Sequence, residues 1–292
     1  MRGISFCAAV GMLAISGCAG KDAKVDSSKV VQSGATSAPA NAKFDPATHT
    51  AMVHAKDFAF DAPDTIPAGW TNFHLVNDGP ALHHVQLVRL DSGKTVTDLT
   101  KAMSAPGEPP HWAVFVGGPN APDPHGESDA ALNLTAGNYV MLCLVDLGDH
   151  VPHFAKGMVH PLTVAATSAP APEPTADATV DLSDYSFALP ATLAAGKHTF
   201  KIVNKGPQVH EIEIIRLAPG KTGKDMMAWM DKMQGPPPGS AIGGVSGMIP
   251  SATAYVTSSL DAGNYLILCF VPDSKDGKPH FAHGMMKEIK IG

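Results

Sequence analysis

The stretch that decides the fold is GNYVMLC (137–143), followed after nine intervening residues by HFAKGM (153–158). It is written twice: GNYLILC (263–269) is followed after ten intervening residues by HFAHGM (280–285). In each copy an apolar strand ends in Cys, a loop delivers His, and Gly-Met opens a second alternating strand. Working outward, His83 and His210 each follow an Asn-x-Gly-Pro turn (77–80 and 204–207). Between the copies, both His pairs and the Met pair are offset by 127 residues and the Cys pair by 126. Further upstream, VHAKDFAF (53–60) matches VDLSDYSFAL (180–189), and both alternate in the strand manner. WTNFHLVNDGPALHHVQLVRL (70–90) and HTFKIVNKGPQVHEIEIIRL (198–217) each read as strand, turn and strand. A short helical stretch follows each, at about 95–104 and 222–233, and then a Pro/Gly-rich excursion. Short strands, Gly/Pro turns and one small helix per repeat predict an all-β chain of two tandem Greek-key β-sandwiches.

The recurring residue types carry a specific chemistry. Two imidazoles and a thiolate, with a thioether nearby, form the ligand set of a type 1 copper site. Sulfur ligands favour Cu(I) while imidazole accepts both oxidation states. The candidate sets are His83, Cys143, His153 and Met158, and His210, Cys269, His280 and Met285. Taken singly, a Cys in an apolar strand is a buried small hydrophobe and a Met opening a strand is core. Recurrence of all four types in one order favours metal. Asn77 and Asn204, beside the turns, are candidates for a hydrogen bond that tunes the Cys sulfur.

Gly-x-Tyr-x-x-x-Cys, then His, then Gly-Met and a closing strand is similar to the C-terminal signature of cupredoxins of the plastocyanin and azurin kind. The resemblance covers both repeats. It implies two cupredoxin-like domains and one copper ion in each, two per chain. It further implies one-electron transfer to a redox protein partner docking near His153 or His280, in an apolar neighbourhood with Phe154 and Phe281. Small cupredoxins separate the Cys and second His by only a few residues, so the longer loops depart from the family pattern. Copper oxidases and nitrite reductases place His beside the copper Cys. Here the neighbours are Leu142, Leu144, Leu268 and Phe270, so no enzyme of that plan is expected. Other readings are a copper storage, tolerance or delivery protein, or a cupredoxin-like interaction module without metal.

Other candidates are weaker. His84 adjoins His83, but Glu211 stands in its place in the second repeat, so it is no shared ligand. Met226, Met230 and Met233 share a helical face, a spacing that usually means packing.

The remaining features place the repeats in a longer plan. Met1–Arg2, an apolar run from Ile4 to Ile15 and the tetrapeptide ISGC (15–18) resemble a bacterial lipoprotein signal, with Cys18 as the lipidated residue. The expected product is an exported protein, lipid-anchored at the periplasmic face of the outer membrane or the cell surface. Residues 19–48 read as a flexible tether, 49–165 as the first domain, 166–177 as an Ala/Pro-rich linker and 178–292 as the second domain. With Cys7 leaving in the signal and Cys18 carrying lipid, Cys143 and Cys269 remain as free thiols, which persist in an oxidising compartment when metal or burial protects them. A net charge of −6 argues against nucleic acid as a partner.

Overall fold

Alternating burial builds the two layers of each repeat. A computed structural model describes residues 43–292 except 106, 108, 147, 148 and 191, so the proposed leader, Cys18 and most of the tether lie outside the described residues. The first repeat runs β1 (Phe44–Asp45), β2 (Thr50–Lys56), β3 (Ala59–Asp61), β4 (Thr65–Pro67), β5 (Gly69–Asn77), β6 (Gln86–Leu90), α1 (Val96–Met103), β7 (Ala113–Gly117), β8 (Glu127–Leu134), β9 (Gly137–Leu142) and β10 (Val159–Ala165). The second runs β11 (Ala178–Ser183), β12 (Ser186–Ala188), β13 (Gly196–Asn204), β14 (His210–Leu217), α2 (Gly223–Met230), β15 (Gly239–Met248), β16 (Thr253–Leu260), β17 (Gly263–Leu268) and β18 (Met286–Ile291). In β5 every second residue, from Gly69 to Asn77, is buried. That face meets Leu87, Tyr139, Met141 and Leu162 of the opposite sheet in one apolar core.

The chain folds into two β-sandwiches, and they join edge to edge. One sheet runs β1-β2-β5-β8-β16-β13-β11-β12, with β3 beside β2. The other runs β18-β17-β14-β15-β7-β6-β9-β10-β4. Both sheets therefore continue from one repeat into the other. In the first sheet Ala130 pairs with Val256, its own counterpart at an offset of 126 residues. In the second the same holds for Pro119 and Val245. A residue can pair with its own counterpart only on a two-fold relation, so the repeats meet about a pseudo-two-fold axis through both pairs. A single core cluster includes Phe73, Leu132, Val256 and Ile267, residues of both halves. The edges that would otherwise invite aggregation are closed against each other.

Local differences from the sequence reading have physical causes. The strands expected at 53–60 and 180–189 each break into two, because Phe58 (φ 63°) and Tyr185 (φ 63°) turn the chain in the left-handed region. The first repeat starts earlier than 49: Phe44 packs against the core and Lys43 pairs with Asp61. The 166–177 segment carries no strand or helix, yet Glu173 ties it to Lys201 at 2.9 Å and to Tyr255. Both helices form where expected. Capping boxes start them, Thr95 with Asp98 and Thr222 with Asp225. They cover the outer face of the second sheet, over Leu99 with Phe154 and over Met226 with Leu266. Met226 is buried and Met230 packs against it, which makes these methionines structural, whereas Met233 is exposed. Among the described residues no helix is long and apolar enough to cross a membrane.

Candidate metal centres

Each site is assembled by one loop and one strand entry. In the first repeat Cys143 directly follows β9, and a 3-10 turn at His153–Lys156 leads through Gly157 to Met158 and β10. Backbone hydrogen bonds knit this loop: Phe154 N–H donates to Cys143 O (2.8 Å), Met158 N–H to His153 O (3.0 Å) and Cys143 N–H to Met158 O (3.4 Å). The second repeat repeats them: Phe281 to Cys269 (2.9 Å), Met285 to His280 (3.0 Å) and Cys269 to Met285 (3.2 Å). Met158 and Met285 are thereby held beside the Cys and His of their own loops, and both are fully buried.

The fourth residue arrives on the other side. His83 and His210 enter from the Asn-x-Gly-Pro turns and point inward with no exposed surface. His83 Nδ1 lies 3.1 Å from His153 Nδ1, which is 3.5 Å from Cys143 Sγ. The second site has the same geometry: His210 Nδ1 to His280 Nδ1 is 3.1 Å and His280 Nδ1 to Cys269 Sγ is 3.4 Å. In each triad the donor atoms lie within 4.8 Å of one another. Cys143 and Cys269 are free and buried, as expected of protected thiols.

Two carboxylates that the sequence reading did not single out decide the tautomers. His83 Nε2 lies 2.8 Å from Asp57 Oδ1, and His210 Nε2 lies 2.9 Å from Asp184 Oδ1. A carboxylate only accepts, so each Nε2 carries the proton and each Nδ1 presents its lone pair to the centre. The conserved offset was the available signal, since Asp57 and Asp184 are also 127 residues apart. Both lie at the turns that Phe58 and Tyr185 create. Gly79 and Gly206 leave room for this contact: a Cβ would lie 2.7 Å from His83 Nε2 at the first and 2.5 Å from His210 Nε2 at the second. That close approach explains why Gly stands in each turn.

Asn77 and Asn204 do something different from the expected sulfur hydrogen bond. Asn77 Oδ1 accepts from Gly79 N–H (3.1 Å), while its Nδ2 donates to Ala81 O (2.8 Å) and Pro122 O (3.1 Å). Asn204 makes the same three contacts, to Gly206, Gln208 and Met248. They brace the turns that deliver His83 and His210. Among the described residues, the hydrogen-bond contacts that reach the sulfurs are those with His153 Nδ1 at Cys143, with His280 Nδ1 at Cys269, and from Glu211 N–H to Cys269 Sγ (3.5 Å).

The donor sets fit a soft, redox-active metal. Burial lowers the pKa of all four imidazoles, keeping them neutral and ready to bind. Burial pushes the Cys143 thiol up to about 11 and Cys269 higher still, with Glu211 adding to the second. A thiol so reluctant to ionise needs a cation to become a ligand, and binding must release its proton. Imidazole Nδ1 atoms 3.1 Å apart, with a thiol and a buried thioether, are the donor types of a soft metal such as copper rather than of calcium or magnesium.

The two centres differ at their outer edge. At the first, Phe58 lies edge-on to His153 with ring centroids 5.1 Å apart, and Lys156 sits over Phe58 at 4.9 Å. Phe58 and Val151 are exposed there. Phe154 instead turns inward beneath α1. At the second, Tyr185 faces His280, and Asp273 accepts from Tyr185 and from Gln208 Nε2 (3.1 Å). His280 Nε2 is buried without a hydrogen-bond partner, 3.7 Å from Asp273. Phe281 is half-buried and packs edge-on against exposed Phe270.

No protein-family model matches the chain, and no curated protein matches it. Among solved structures, a dithionite-reduced auracyanin from the photosynthetic bacterium Roseiflexus castenholzii is 22% identical with a TM-score of 0.29. The match covers 40% of this chain and 97% of that one. Auracyanin B is 17% identical with a TM-score of 0.30, over 41% of this chain and 92% of its own. A copper nitrite reductase from Nitrosomonas europaea is 14% identical with a TM-score of 0.26, over 83% of this chain and 93% of its own.

Proposed function

We propose that the chain is an exported electron carrier with two type 1 copper sites, one in each repeat. The observation that carries this reading is the pair of buried His-Cys-His triads, in which Asp57 turns the Nδ1 lone pair of His83 inward and Asp184 that of His210. His83, Cys143, His153 and Met158 would hold one copper, and His210, Cys269, His280 and Met285 the other. Bound copper supplies a one-electron couple, Cu(II)/Cu(I). The chain supplies rigidity: three ligands come from one hydrogen-bonded loop, and the fourth from a turn braced by Asn77 or Asn204. Such a frame limits ligand movement between oxidation states, which favours fast transfer.

The reading includes no catalysis of its own. Leu144 and Phe270, beside the thiolates, cannot ligate a further metal. A redox protein would dock over Phe58 and Val151 to reach His153, or over Phe270 to reach the second centre. A lipid on Cys18 would keep the protein at a membrane surface. Voltammetry of the copper-loaded protein tests the carrier reading. Reversible one-electron waves at both sites are expected; slow or irreversible waves would favour copper storage or delivery.

A further inference from the structure

The second repeat carries one more cluster of metal-ligating side chains, on the loop between Cys269 and Met285. A carboxylate oxygen of Asp273, one of Asp276 and a ring nitrogen of His283 lie within 4.8 Å of one another. Asp273 and Asp276 sit on a tight loop, closed by Asp273 N–H donating to Lys278 O (2.8 Å) and Gly277 N–H to Asp273 O (2.8 Å). His283 ends the 3-10 turn His280–His283, and its Nε2 lies 3.1 Å from Asp276 Oδ1. Nitrogen and oxygen ligands of one tetrahedral zinc ion, each about 2.1 Å from the metal, lie roughly 3.4 Å from each other. The His283–Asp276 pair already stands near that spacing.

Two exposed acids and a histidine would by themselves be a solvated loop. Asp273 and His280 make this one different. The Asp273 side chain is only 1% exposed, and a buried carboxylate is ordinarily paired with a cation or bound to a metal. Its Oδ2 accepts from Tyr185 and from Gln208 Nε2, and its Oδ1 from Lys275 N–H (2.8 Å), all of them neutral donors. Beside it stands His280, whose side chain has no exposed surface. His280 Nε2 is buried without a hydrogen-bond partner and faces Asp273 Oδ2 across 3.7 Å, too far for a hydrogen bond. Tyr185 packs against both imidazoles, 5.8 Å from His280 and 5.2 Å from His283, so the unpartnered nitrogen looks into the corner that His283 borders.

The first repeat shows what a cation does at the equivalent place. At the same 127-residue offset, Asp146 and Asp149 correspond to Asp273 and Asp276, and Lys156 to His283. There the Lys156 ammonium sits on Asp149, 3.0 Å from Oδ1 and 2.8 Å from Oδ2. The second repeat puts an imidazole where that ammonium stands, and an imidazole can ligate a metal whereas an ammonium cannot. We propose that Asp273, Asp276 and His283 bind a divalent cation of the zinc type, with His280 at its border, in a site that the first repeat does not share. Carboxylate with imidazole suits zinc, while calcium and magnesium take oxygen ligands. The Asp276 and His283 side chains are 37% and 29% exposed, so a cation can enter and water can complete its coordination. Lys278 Nζ, 3.5 Å from Asp276 Oδ2 on a side chain 68% exposed, swings away as the metal arrives. The metal takes the place of the proton on His283 Nε2, which moves to solvent or to Nδ1. The three ligands are none of the eight assigned to copper, so the site stands whether or not the triads are filled.

The test is a zinc titration of the metal-free protein, with bound zinc counted by equilibrium dialysis and the histidine ring nitrogens followed by NMR. The His283 ring-nitrogen resonances are expected to shift as zinc binds. His283→Lys, which copies the first repeat, and Asp276→Asn should each bind one zinc fewer or hold it at least about tenfold more weakly. Both positions are exposed, and circular dichroism confirms that the variants fold. Because the triads also offer nitrogen and sulfur, the titration is repeated with Cys143→Ser and Cys269→Ser together, where the His283 shift should persist. Zinc count and affinity unchanged in His283→Lys would overturn the proposal. So would zinc binding that vanishes with the two cysteines and leaves His283 unshifted. Failure of the copper reading shows elsewhere, as the lack of a thiolate-to-copper band, and leaves this result unaffected.

Discussion

Replacing Asp184 by Ala removes the acceptor that holds the His210 proton on Nε2. The ring is then free to place its proton on Nδ1, the atom that faces the centre, and it loses the contact that orients it. Removing a carboxylate partner of a metal-bound His costs about 10–100-fold in metal affinity, or about 1.4–2.8 kcal/mol. The structure ranks the two sites within that span. The Asp184 side chain is 25% exposed and Asp57 is 40% exposed, so solvent screens the first contact less. We expect a copper affinity loss near a hundredfold for Asp184→Ala at the second centre and near tenfold for Asp57→Ala at the first. Asp184→Asn, which keeps an accepting oxygen without the charge, should fall between Asp184→Ala and the unmodified protein. The assay is competition for copper against a chelator of known affinity, with circular dichroism to confirm folding. Unchanged affinity in a folded Asp184→Ala protein would refute the argument that these carboxylates set the tautomer.

Three further outcomes follow from the geometry. Gly206→Ala places a Cβ 2.5 Å from His210 Nε2 and 3.0 Å from Asp184 Oδ1, so copper titration should show a weakened second centre with the first intact. Glu213 is buried with one oxygen unpartnered, and burial raises its pKa well above the usual range. A raised carboxyl pKa means stability falls as pH climbs from the unfolded value toward the folded one. Glu213→Gln, which copies Gln86 of the first repeat, should therefore raise the melting temperature at pH 8, by an amount that shrinks toward pH 4.5; no gain at pH 8 would count against it. His74 bonds Asp129 at 2.9 Å and lies 3.6 Å from Glu127; the Asp129 contact raises its pKa against the opposing effect of burial. Its stabilisation is present below the unfolded pKa near 6.5 and lost as pH rises through the folded value. His74→Gln should lower the melting temperature at pH 5.5 more than at pH 9, and an equal loss at both would contradict the assignment.

The His-Cys-His clusters were legible because a loop that brings Cys and His together in order leaves a fixed cadence, and repetition separates that cadence from chance. The helices were legible from their spacing, and the sandwich from alternating strands. Asp57 and Asp184 were hidden because 53–60 and 180–189 scan as single strands; the turns at Phe58 and Tyr185 interrupt them without a Gly or Pro to mark the break. The junction was hidden for a different reason. Alternation tells which face of β8 or β16 is buried, but it carries no information on which strand pairs at the edge. The pairing of Ala130 with Val256 exists only in three dimensions.

The most direct test of the central claim is to load the protein from about residue 43 onward with Cu(II), count copper per chain, and record absorption and electron paramagnetic resonance spectra. Two coppers per chain, an intense visible thiolate-to-copper band and a narrow hyperfine splitting are the predicted result, with the band halved in Cys143→Ser or Cys269→Ser. A colourless protein, or one whose copper signal survives both Cys substitutions, would contradict it.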